Sequence, residues 1–191
     1  AVSGDDANLY TYRFATTEKN RSSLTLGPIE MVVNYGVNEE FSFTDNKKLP
    51  CDWDTSSDAY VSTSELIVPG AGKGIKKFDP VSGKIVSEFA FYAPENRSFN
   101  FNLTGEGKTL VKFESDGKDF YVNGTKVYEN YVHTVVYVFR AEADTKTKMV
   151  DVSINGNKKA TVPFAESASF ADTITFNNTS DANIAIDNVY V

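Results

Sequence analysis

Residues 134–163, TVVYVFRAEADTKTKMVDVSINGNKKATVP, constrain this chain more tightly than any other stretch. Val135, Val136, Val138 and Phe139 open it. It breaks at Asp144-Thr145-Lys146-Thr147, resumes as Met149, Val150, Val152 and Ile154, and turns again at Asn155-Gly156. Val150, Val152 and Ile154 alternate with Asp151, Ser153 and Asn155, which gives an extended segment one apolar and one polar face. Asn-Gly is a strong hairpin signal, because both central residues of a type I′ turn take positive φ. A three-stranded meander is expected here, with residues 183–191 (NIAIDNVYV) adding a strand that closes the same sheet system or its partner.

The pattern extends upstream. Ile85, Ser87, Phe89 and Phe91 alternate with Val86, Glu88, Ala90 and Tyr92; Phe99, Phe101 and Leu103 alternate with Ser98, Asn100 and Asn102. Turns are expected at Asp116-Gly117 and Asn123-Gly124. No helical period of useful length appears, so the chain reads as an all-β antiparallel sandwich or barrel. Residues 9–14, 29–33 and the pair Phe41 and Phe43 suggest further strands. Residues 45–58 read as a long loop, residues 60–68 as extended, and residues 69–74 as a flexible connection. The interior is expected to hold Phe89, Phe91, Phe99, Phe101, Val150, Val152, Ile154, Ile184 and Ile186. No linker divides the chain, so residues 1–191 are read as one domain.

A long strand, an Asp-x-x-Thr turn, a V-x-V-x-I strand and then Asn-Gly together resemble laminin-G-like and concanavalin A-like jelly-roll domains. The terminal IDNVYV is similar to the closing strand of many bacterial carbohydrate-binding modules that accompany glycanases. The resemblance covers residues 82–191. It implies a jelly-roll β-sandwich, secretion to the extracellular space, and a non-catalytic carbohydrate-binding module that targets a parent enzyme to a plant or microbial polysaccharide. The opening AVSGDDAN carries no signal peptide, as expected of an excised module or a processed protein. A structural or adhesive laminin-G-like domain that contacts a protein or cell surface is a second reading. A glycan-cleaving jelly-roll enzyme with an unrecognised site is a third.

Composition narrows the partners. The net charge of −7 disfavours nucleic acid and strongly anionic ligands and points to a largely neutral glycan. No apolar run reaches membrane-spanning length. The single Cys51 makes no internal disulfide and no cysteine zinc cluster.

No catalytic set is apparent. The one histidine, His133, lacks a G-x-S-x-G partner. Jelly-roll glycanases of the laminarinase type align Glu, Asp and Glu on one strand face, whereas the string Glu114 to Asp119 is interrupted by the Asp116-Gly117 turn. The glycines of residues 69–74 lack the ending of a phosphate loop. No enzyme activity is expected.

Sugar binding calls for aromatic rings beneath the CH-rich face of a pyranose and polar side chains around its hydroxyls. Trp53, between Asp52 and Asp54, is the first candidate platform. Tyr128 and Tyr131, with Glu129 and Asn130 between them, form a second aromatic-polar group. Asn100 and Asn102 are expected to point away from the Phe99/Phe101 core face, joined by Arg97. A structural Ca2+ is a further expectation, held by Asp187 and Asp6 near the termini through hard oxygen ligands, with Asp52, Asp54 and Asp58 as a second oxygen-rich group. Turn aspartates that cap backbone N–H groups would give the same pattern.

Overall fold

The computed structural model describes the backbone of Val2–Asp6 and Leu9–Tyr12 and, beyond them, residues 37–39, 41, 49, 53–54, 56–92, 97–133 and 135–191. The expected strand at 29–33, Phe43, Cys51 and Asp52 lie outside the described residues. The chain divides into two compact units, Ala1–Tyr35 and Gly36–Val191. In the first, β1 (Val2–Asp6) and β2 (Leu9–Tyr12) pair antiparallel.

The second unit is the sandwich. Its strands are β3 (Asn38–Glu39), β4 (Tyr60–Ser62), β5 (Glu65–Val68), β6 (Lys73–Val81), β7 (Lys84–Tyr92) and β8 (Ser98–Gly105). They continue as β9 (Lys108–Asp116), β10 (Phe120–Val122), β11 (Thr125–Tyr128), β12 (Val136–Asp144) and β13 (Met149–Ile154). β14 (Asn157–Pro163), β15 (Ala171–Asn178) and β16 (Ile184–Tyr190) complete it. One sheet runs β11-β10-β9-β8-β15-β6. The other runs β14-β13-β12-β7-β16-β5-β4, with β3 paired to β16. All these pairings are antiparallel.

The 134–163 meander is β12-β13-β14, turning at Asn155 and Gly156 with φ of 49° and 73°. The closing strand β16 enters the same sheet between β7 and β5. All nine expected interior residues are buried. Phe89 is the centre of the interior, with Phe101, Phe139 and Phe176 rings at 4.8, 5.2 and 5.1 Å and Phe113 edge-on at 5.9 Å. These rings come from both sheets, so their burial joins the layers; each contributes about 1.5–3 kcal/mol.

Two local expectations change. Residues 60–68 form two strands rather than one extended segment, because Thr63 and Ser64 take positive φ (51° and 63°) and close a hairpin. Residues from Lys73 onward are strand, not flexible connection. The lysines and Pro80 of β6 hid it; β6 is the last strand of its sheet, where charged residues and proline are tolerated because one edge needs no partner.

Candidate functional site

The six-stranded sheet turns a polar face outward. Its strands alternate, so the Phe99/Phe101 side faces the core while Asn100 and Asn102 face out, half-buried, as the sequence suggested. Strand pairing then aligns one row across the whole sheet. Lys73 opposes Asn177, Asn177 opposes Asn100, Asn100 opposes Glu114, Glu114 opposes Tyr121, and Tyr121 opposes Lys126. In the neighbouring row Thr175 opposes Asn102, which opposes Lys112.

Hydrogen bonds fix the amides of this face. Asn100 Oδ1 accepts from Asn102 Nδ2 at 2.9 Å and from Asn177 Nδ2 at 2.8 Å. Both acceptor sites of Asn100 are thus used internally, and its own NH2 is left for solvent or ligand. The Oδ1 atoms of Asn102 and Asn177 offer acceptors beside it. Charges here are balanced locally: Lys112 pairs with Glu114 at 2.7 Å and Lys126 with Asp119 at 2.6 Å. The ammonium of Lys126 also lies 5.8 Å from the centre of the half-buried Tyr121 ring. Burial, then a hydrogen bond to Asp116, pushes the Tyr121 hydroxyl above its ordinary pKa, so it stays a neutral donor. The face therefore offers fixed amide donors and acceptors with one aromatic ring at the side, suited to a ligand whose hydroxyls both donate and accept.

The other candidates do not gather there. Trp53 is 6% exposed, against Phe41 (centroids 6.1 Å) and bridged to Lys76 of β6. It plugs the core beside Gly74, whose missing side chain leaves space for the indole. The expected exposed platform is absent, since the apolar ring finds burial despite its acidic neighbours. Tyr131 is 4% exposed and stacks on Phe120 at 4.6 Å. Tyr128 packs on Phe120 at 5.6 Å with Lys159 over its ring at 5.3 Å. These tyrosines lie together, but under the β10-β11 end of the sandwich and not as an open platform. The Arg97 side chain pairs with Asp181, and its carbonyl accepts from Tyr131 and Ser115. It does not join the asparagines by any of these bonds. Asn177 and Tyr121 are the residues sequence reading missed. Only the crossover that brings β15 beside β8 reveals Asn177; Tyr121 was visible as the outward member of Phe120-Tyr121-Val122.

The carboxylates near the turn serve structure. Asp116 accepts from the N–H groups of Lys118 and Asp119, and Asp119 from that of Asn130. His133 packs edge-on to Tyr131 at 5.3 Å. Asp54 accepts from Ser56 N–H and pairs with Lys77, which holds its carboxyl down to about 2; Asp58 accepts from Lys73 N–H. Asp187 accepts from the N–H and side-chain amide of Asn188. The Asp6 side chain and Asp52 lie outside the described residues. Among the described residues no group of three or more His, Cys, Asp or Glu is placed to hold a metal ion.

No protein-family model and no curated protein sequence matches the chain. Solved structures do match in fold. A sialidase is similar over 83% of this chain at 15% identity and a TM-score of 0.63, but the chain spans only 18% of that sialidase. The Emp46p carbohydrate recognition domain, in its metal-free form, matches over 82% of this chain and 94% of its own, at 11% identity and a TM-score of 0.53. The ligand-binding domain of botulinum neurotoxin serotype D, in complex with N-acetylneuraminic acid, matches over 72% of this chain and 41% of its own, at 9% identity and a TM-score of 0.50. The fold is therefore the all-β, antiparallel jelly-roll sandwich expected from the sequence.

Proposed function

We propose that this chain is a non-catalytic glycan-binding module and that the outer face of its six-stranded sheet is the binding surface. The observation that carries the reading is the Asn100-centred amide cluster. Three asparagines on adjacent strands are ordered by each other rather than by the core, which pre-organises donors and acceptors at little entropic cost on binding. Solved structures of the same fold include carbohydrate recognition domains and a toxin domain holding a sugar, which supports the class.

The ligand is a largely neutral plant or microbial polysaccharide, supported by the paired charges of the face and the net charge of −7. The module targets an extracellular parent protein to that glycan, in keeping with the fold's occurrence within a much longer sialidase. The absence of activity is supported by the engagement of Glu114, Asp116 and Asp119 in ion pairs and turn hydrogen bonds. An affinity-gel panel of neutral polysaccharides tests the reading. Retardation by at least one polymer, weakened about ten-fold or more in Asn100→Ala or Tyr121→Ala, is expected. Retention of full binding by both variants refutes the location, and release of shortened glycan products refutes the non-catalytic assignment.

A further inference from the structure

The opposite layer carries a second surface of different chemistry. On the outer face of the eight-stranded sheet, Val136 opposes Tyr92, Tyr92 opposes Ala185, Ala185 opposes Ile67, and Ile67 opposes Tyr60. This apolar row crosses β12, β7, β16, β5 and β4, and Val136 at its end is 56% exposed. Two residues further along the strands, in the next row of the same face, the character changes. Asp187 follows Ala185 by two positions and Glu65 precedes Ile67 by two, so both share the outward face with the apolar row. Glu65, Asp187, Tyr92, Val136 and Ala185 line a concavity of about 120 Å³.

The two carboxylates sit together without a counter-charge among the described residues. On the same outer face Glu88 pairs with Arg140 and Asp151 with Lys158. Among the described residues Glu65 and Asp187 have no ion-pair partner. Burial, and then the charge of Asp187, pushes the Glu65 carboxyl above its ordinary pKa. Like charges at neighbouring positions of a sheet are destabilising. An uncompensated negative pair beside an aromatic row suits a ligand with a ring face and a cationic edge.

We propose that this face is a second binding site, for a polysaccharide of amino sugars bearing free amino groups. The CH face of a ring lies on Tyr92 and the ammonium meets Glu65 and Asp187. Tyr60, further along the row, meets another ring of the same chain. A peptide strand is disfavoured as occupant, because the row runs across strands already paired within the sheet and only side chains are presented. The site is independent of the asparagine face.

The test is calorimetric titration of the whole chain with a glucosamine tetramer, its fully N-acetylated counterpart and tetralysine, with melting temperature recorded for every variant. The glucosamine tetramer is expected to bind, more weakly at high salt. Glu65→Gln and Tyr92→Ala are each expected to weaken it about ten-fold or more, while Asn100→Ala leaves it unchanged. Glu65→Gln is also expected to raise the melting temperature, so its loss of binding is not a loss of fold. No binding of the glucosamine tetramer overturns the proposal, as does equal affinity for the acetylated tetramer or for tetralysine. Loss of neutral-glycan binding in Asn100→Ala, with glucosamine binding intact, separates this site from the first.

Discussion

The side chain of Asn123, on the turn between β10 and β11, donates to the carbonyl of Pro163 at the end of β14 at 2.8 Å. The same amide donates to Leu110 O at 3.1 Å, and its oxygen accepts from Lys112 N–H at 2.7 Å. A hairpin residue of one sheet thereby holds the edge strand of the other.

Asn123 also takes φ of 49°, so Asn123→Ala removes three hydrogen bonds and strains the turn. A loss of about 2–4 kcal/mol in urea unfolding is expected. Asn123→Gly keeps the turn conformation and isolates the hydrogen bonds, at an expected cost of about 1–3 kcal/mol. A loss below a few tenths of a kcal/mol in both variants would show that the bond between the layers contributes little.

Trp53 fills space between Phe41 and β6. Trp53→Ala is expected to destabilise by about 3–5 kcal/mol, and glycan affinity per folded molecule is expected to be unchanged. Since the buried indole Nε1 has no hydrogen-bond partner among the described residues, Trp53→Phe should be much milder. Glycan binding lost in Trp53→Phe at unchanged stability would return Trp53 to the site.

Ser87 is 1% exposed on the inward face of β7, and its hydroxyl has no hydrogen-bond partner among the described residues. Ser87→Ala is expected to stabilise by about 1 kcal/mol, because a buried unsatisfied hydroxyl is removed with little change in volume. Thermal unfolding reads the sign; a lowered melting temperature would mean that the hydroxyl finds a partner in solution.

These outcomes bear on what local pattern can reveal. The alternation at 85–92, 98–103 and 149–154 identified core positions correctly, because inward and outward residues of a strand differ sharply in polarity. Trp53 misled because its sequence neighbours are acidic, whereas burial is decided by β6, more than twenty residues away. Asn100 and Asn102 were readable from β8 alone. Their partner Asn177 comes from β15, and a contact between strands so distant in the chain leaves no local trace. β6 was hidden for a related reason: an edge strand does not need apolar alternation on both of its flanks.

Acid sensitivity follows from Asp54. Hydrogen bonds from Ser56 and the pairing with Lys77 lower its carboxyl from 3.8 to about 2 in the folded chain. A depressed folded pKa gives stability that is present above the unfolded value and lost as pH falls through the folded one. Asp119, Asp144 and Asp151 shift in the same direction. Stability is therefore expected to fall between pH 3.8 and about 2. Asp54→Asn should show a shallower decline across that window, and parallel profiles for the two proteins would remove Asp54 as a contributor.

The central claim is that Asn100 organises a glycan-binding face on the six-stranded sheet. Affinity-gel electrophoresis of the wild type and Asn100→Ala against neutral polysaccharides tests it most directly, with melting temperatures recorded in parallel. Loss of retardation by about ten-fold or more at nearly unchanged melting temperature is expected. Undiminished retardation of a folded Asn100→Ala variant would contradict the account.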